Sequence, residues 1–297
     1  MRALTGIVLN TFREAVRRPF FYLLLAAGAA ALVVTMYLPL FTFHSDVDMY
    51  KDLGLSFVLL FALLTGLLAA ATGVAREVED KTAHTILAKA VGRWQFVLGK
   101  YLGAMGAVAV VTAVLGLVLA AAVYYRVELD AGGGEHGHPH GPVAAVSGVG
   151  MEVAALKARQ MAQAATVLPG LVLVLLQVGV LAAVATALST RLGPAASVGL
   201  SLAAFLGGHL TVFLESAGRT AGGALRAIAE AVTAAAPFLE IFNINQKLSH
   251  AMLKPLDWGG PWGEVWIYVA WSALYAAVYA GAAIGAGVIA FRRRPLS

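Results

Sequence analysis

The chain has 297 residues, 60% of them hydrophobic and 12% charged, with a formal net charge of +5 and a mean hydropathy of +0.81. An ordinary soluble domain is about 25% charged, so this composition excludes a soluble globular enzyme, and its apolar content excludes disorder. With no cysteine there are no disulfides, thiolate metal sites or Cys nucleophiles, and the Gly and Pro residues follow no collagen-like period.

Residues 1–18 come first. Leu4, Ile7, Val8, Thr11, Phe12 and Ala15 recur at helical spacing, with Arg13, Arg17 and Arg18 mainly on the other side and Glu14 paired to Arg18 at i, i+4. The segment reads either as an amphipathic helix lying in a membrane interface or as a plain basic flank that sets topology. Pro19 then turns the chain into the first of six apolar stretches, 19–40, 53–75, 101–125, 165–190, 195–214 and 266–291. Each has the roughly 20 residues a helix needs to cross a bilayer, and none contains Asp, Glu, Lys or Arg. An ion in hydrocarbon is costly, and a span without one meets that constraint. The first stretch is long and lacks a clean small-residue cleavage site after it, so it is expected to be retained rather than removed as a signal peptide. The expected fold is an all-α integral membrane protein with six transmembrane helices in one permease-like domain, 1–297.

Three connections are long. Residues 76–100 are charged at the start and carry a second helical stripe, Ile86, Leu87, Ala90, Val91, Trp94 and Val97, interrupted by Gly92. They read as a short helix pair whose apolar face is buried against the bilayer surface or a soluble partner. Residues 126–164 hold a Gly-rich, His-rich run and then a helical pattern near Met151–Gln163. Residues 215–265 hold a helical pattern near Arg219–Ala235, then Pro237, Phe238 and Phe242, then Trp258 and Trp262; with Trp266 these tryptophans suit an aromatic belt.

Orientation follows from the charges. With both termini inside, segments 1–18, 76–100, 191–194 and 292–297 hold 13 basic against 4 acidic residues, a net of +9. The other segments hold the remaining 8 basic and 12 acidic residues, a net of −4. The positive-inside bias therefore predicts cytoplasmic termini. The basic residues flank spans instead of forming one folded basic surface, so no nucleic-acid partner is expected.

Glu77-Val78-Glu79-Asp80-Lys81-Thr82, then Thr85-Ile86-Leu87-Ala88-Lys89-Ala90-Val91-Gly92-Arg93-Trp94, ending at Gly99-Lys100, make up a run that resembles the permeases of type-two ABC transporters. The nearest likeness is to the branch containing the permease for nitrous-oxide-reductase maturation. Ala90 departs from the pattern, which has Pro there, so the local bend differs. The resemblance implies that residues 1–18 are an elbow helix. It implies that 76–100 is a coupling segment docking on a separate ABC ATPase, through Glu79, Thr82, Thr85, Leu87, Lys89, Arg93 and Trp94. It further implies a second permease copy, identical or related, in a bacterial inner membrane, with ATP and Mg bound by the ATPase and no cofactor on this chain. A periplasmic partner fits a force-transmitting member. No phosphate-binding loop is present: Gly92 to Lys100 has six residues between its glycines and is followed by Tyr101.

Candidate sites within the chain are few. His136, His138 and His140 alternate with Gly and Pro, so an extended backbone groups their imidazoles on one face, a donor set for Cu(II), Ni(II) or Zn(II); the bland reading is a solvated flexible loop. Gln177 and His209 are polar side chains within spans, and either bond across helices or line a path. Trp271, Tyr275 and Tyr279 form an i, i+4, i+8 stripe read as packing, and Gly281 with Gly285, like Gly99 with Gly103, forms a face for close helix contact. Besides a transporter subunit, a scaffold or chaperone-like subunit that moves no solute and an intramembrane enzyme remain open. For the His-rich run, calorimetry with Cu(II) and Zn(II) is expected to give binding by the wild type that the triple variant His136→Ala/His138→Ala/His140→Ala loses; equal weak binding by both rejects a metal site.

Overall fold

The computed structural model describes residues 2–37, 46–79, 92–133, 154, 156–158, 160–220, 237–243 and 262–292. The described structure is 95% helical. Its elements are α1 (Arg2–Arg17), α2 (Pro19–Tyr37), α3 (Asp46–Glu79), α4 (Arg93–Gly133), α5 (Val167–Ser189), α6 (Pro194–Thr220), a short 3-10 turn (Leu239–Phe242) and α7 (Trp262–Arg292). Pro19 and Pro194 stand at the first positions of α2 and α6, where the missing N–H costs nothing and the fixed φ suits a helix.

Among the described residues, five helical stretches are long and apolar enough to cross a membrane: Pro19–Tyr37, Met49–Val74, Arg93–Arg126, Leu156–Ser189 and Val265–Phe291. The other expected span, 195–214, lies within α6 and is not among those five. The third span begins earlier than expected. Arg93 to Lys100 form the first turns of α4 instead of a separate short helix, because nothing between Arg93 and Gly133 breaks the backbone ladder. Gly92 marks the start: its N–H donates to the Gln95 side chain at 3.1 Å, and Phe96 N–H donates to the Gly92 carbonyl.

α5 is the centre of the bundle. It packs on α3, α4, α6 and α7 and is buried on nearly every side. Small residues permit this: a Cβ on Gly170 would lie 2.7 Å from Leu55, and one on Gly66 of α3 would lie 2.9 Å from Val178. Hydroxyls inside the bundle bond back to the carbonyl four residues earlier, as Thr65, Thr186 and Ser201 do, so they carry no unmet donor into apolar surroundings.

The α1 stripe has a partner within the chain. Ile7, Thr11 and Phe12 sit on Gly99, Gly103 and Gly106 of α4. A Cβ on Gly103 would lie 2.5 Å from the Thr11 Cβ and 2.8 Å from the Val8 carbonyl oxygen, so only glycine admits this approach. The second small-residue face behaves differently. Gly281 and Gly285 have nothing within 4 Å among the described residues, whereas Gly287, on the other side of α7, meets Ala187. The expected close contact at Gly281 and Gly285 is therefore not made in the described chain. α7 buries the line Val265, Val269, Ser272, Ala276, and 100° per residue turns those two glycines outward. Gly103→Val is expected to lower stability by about 2 kcal/mol through overpacking against backbone, and Gly281→Ala to stay within about 0.5 kcal/mol; thermal unfolding of the detergent-purified chain checks both.

Candidate functional site

One end of the bundle gathers the cations. Glu14 of α1 pairs with Arg18, the bend residue between α1 and α2, and its other oxygen lies 4.0 Å from Lys100 Nζ on α4. Arg18 also donates to Thr72 Oγ1 of α3 at 2.7 Å, and the Thr72 hydroxyl donates to the Leu68 carbonyl at 2.6 Å. Lys100 is 3% exposed, so its charge depends on Glu14 and on the Phe96 ring, 5.9 Å away. α1 is thereby fastened to both helices that flank residues 80–91. At this end Val74, Phe96, Val97 and Phe291 also form a small separate core, with Phe96 and Phe291 stacked at 5.9 Å. The Arg93 guanidinium lies 5.9 Å over Phe291, and Arg191 Nε donates to the Ala290 carbonyl at 3.0 Å.

This geometry divides the predicted coupling stripe. Val97 is fully buried inside the bundle, so that part of the stripe serves internal packing rather than a bilayer or partner surface. Trp94, one turn earlier, is 49% exposed. Glu79 is the last residue of α3. Thr82, Thr85, Leu87 and Lys89 lie outside the described residues, as do His136, His138 and His140.

The two polar residues singled out inside the spans meet each other. Gln177 Nε2 of α5 lies 3.3 Å from His209 Nε2 of α6, and His209 Nδ1 lies 3.0 Å from the Phe205 carbonyl. A carbonyl only accepts, so Nδ1 donates to it, and in that tautomer Nε2 accepts from the Gln177 amide. The two side chains thus bond to each other and to the α6 backbone. Residues 237–243 close over this region: a Cβ on Gly208 would lie 2.5 Å from the Pro237 carbonyl oxygen, and Leu239 is fully buried. The same segment is held by α7, whose Tyr268 and Ser272 hydroxyls donate to the Ile241 carbonyl and whose Tyr275 hydroxyl accepts from Phe238 N–H at 2.9 Å. Tyr275 lies 6.0 Å from the Phe242 ring and 6.1 Å from Tyr279, so two members of the aromatic stripe pack internally, while Trp271 is exposed.

The sequence model of ABC-2 family transporter proteins matches residues 20–284. The chain belongs to this family. No curated protein matches it. The chain is therefore a multi-pass transmembrane subunit of an ABC transporter, a component whose family works with an ATPase partner.

Sequence reasoning missed two features of this ABC-2 permease. Lys100 and Glu14, far apart in the chain, become partners only when α1 lies on α4. Arg126, read as the first residue beyond a span, is 6% exposed; its guanidinium donates to the Met36 carbonyl at 2.6 Å and lies 5.3 Å over the Tyr50 ring. It caps the C-terminus of α2, where cations stabilise unpaired carbonyls. A lone Arg ending a 25-residue apolar run was the available signal. For the intramembrane pair, a thermodynamic cycle of Gln177→Leu, His209→Phe and the double variant is expected to give a coupling of about 1 kcal/mol in unfolding free energy, with near-zero coupling meaning that the side chains do not interact.

Proposed function

We propose that this ABC-2 chain is the permease of a complex with two separate ATPase subunits and a second permease copy, and that residues 76–100 carry ATPase-driven movement into the spans. In this reading α6 is the fifth of six spans, α1 is the elbow helix, both termini are cytoplasmic, and the membrane is the bacterial inner membrane. The observation that carries it is the joint between α3 and α4. These helices flank residues 80–91, pack directly on each other, and are both tied to α1 at the basic end through Thr72 and Lys100. A push delivered at 80–91 then moves three helices as one body, the rigid-body transmission that switching through a single contact requires. The charge bias of +9 against −4 supports placing that end in the cytoplasm. Trp94, half exposed beside Gly92, is an anchor of the type that dominates docking interfaces. The run 77–100 supports the nitrous-oxide-reductase maturation branch as the nearest relatives, with force transmission to a periplasmic partner as the output; Cu(II) or Zn(II) on His136, His138 and His140 belongs to the same proposal.

A subunit that moves no solute is the second reading. It is favoured by the Gln177–His209 pair, in which the two polar side chains singled out in the spans bond to each other rather than standing apart along a path.

Charge reversal by Lys89→Glu with Arg93→Glu is expected to abolish copurification of the ATPase with the membrane-extracted permease and to cut coupled ATP turnover at least tenfold. Unchanged copurification and turnover would show that 76–100 is not the docking segment.

A further inference from the structure

A cavity of about 410 Å³ opens between the α1–α2 junction and α3. Its walls are Phe20, Phe21 and Leu24 on one side and Leu68 and Ala69 on the other, and Arg18 stands at its edge. Thr65 and Thr72, also in the lining, are seven residues apart on α3, which gives the cavity a depth of about 10 Å along the helix axis. Both hydroxyls are already bonded to carbonyls of their own helix, so the interior offers almost nothing to water. The cavity is open on one side, and an unfilled apolar recess forfeits contacts for the atoms that line it. In a membrane the material at hand to fill it is an acyl chain.

The edge of the cavity selects the headgroup. Arg18 uses two of its five N–H donors on Thr72 and Glu14. Its side chain remains 27% exposed, and Arg13 and Arg17 are exposed on the preceding helix α1. The local charge is positive: Arg13, Arg17 and Arg18 stand against Glu14. We propose that this cavity is a binding site for one anionic phospholipid, its acyl chain lying between α2 and α3 and its phosphate paired with Arg18. The site lies one helix turn from the Glu14–Lys100 contact, so the lipid braces the joint between α1 and α3. It uses the orientation proposed above only to say that the cytoplasmic leaflet supplies the lipid.

The test uses the full chain, purified in mild detergent with equal amounts of phosphatidylglycerol and phosphatidylcholine, and native mass spectrometry of the retained lipid. The wild type is expected to retain phosphatidylglycerol about tenfold better than phosphatidylcholine, because the phosphate of either lipid can pair with Arg18 but the choline cation is repelled by Arg18 and its basic neighbours. Arg18→Gln is expected to lose that preference, Ala69→Phe to lose retention of both lipids by filling the cavity, and Val114→Phe, at an exposed position on α4, to behave as the wild type. Equal retention of the two lipids by the wild type, or unchanged retention by Ala69→Phe, overturns the proposal. Should Ala69→Phe fail to fold, a phosphatidylglycerol bearing a mid-chain diazirine decides on the wild type alone. Labelling within 20–24 and 65–69 supports the site, and labelling confined to outward positions such as Leu117 overturns it. Neither readout involves the ATPase, so failure here leaves the docking proposal standing, and the reverse.

Discussion

Glu14 is the carboxylate on which the basic end of the bundle depends. It balances Arg18 at the α1–α2 junction and faces Lys100, a buried cation on α4. A buried ammonium without a counter-charge loses its hydration with nothing in return, so the position of α1 and the tolerance of Lys100 inside the bundle are two sides of one contact. The glycines at 99, 103 and 106 bring α1 close enough for that pairing, because a side chain at Gly103 would meet the α1 backbone. Charge and packing thus agree on one seat for the helix.

The opposite end solves the same problem with backbone rather than a carboxylate. Arg126 is buried at the end of α4, and its partners are the last carbonyls of α2, groups that no helix satisfies by itself. Tyr50 completes the arrangement, its ring under the guanidinium and its hydroxyl donating to the Leu32 carbonyl at 3.0 Å. Between the two ends, several polar side chains of the spans are answered locally: the hydroxyls of Thr65, Thr186 and Ser201 by the preceding turn, and Gln177 by His209. The buried hydroxyls of Thr112 and Ser197 are the exceptions. With so few polar groups in the spans, the functional reading rests on the 80–91 connection rather than on a path through the middle.

The membrane character, the charge-free stretches and the starts of α2 and α6 at their prolines were legible in the chain because each is a one-dimensional property: hydrophobic run length, absence of ions, proline at a helix start. The amphipathic character of residues 2–17 was legible for the same reason. Its partner was not, since a stripe at helical spacing describes a face without saying what covers it. Val97 illustrates the limit. It shares a stripe with Trp94, yet three residues of rotation, together with Phe291 arriving from the far end of the chain, bury one and leave the other half exposed.

By itself, then, the sequence determined an all-helical membrane subunit, since hydropathy and ion burial act on each segment separately. Tertiary structure decided the pairings: Glu14 with Lys100, Arg126 with the end of α2, Gln177 with His209, and the choice of Gly99–Gly103 over Gly281–Gly285 as the face that closes on a neighbour within the chain. Those choices depend on which helices touch and at what rotation. Residues distant in the chain acquire a shared energy only when packing places them within a few ångströms.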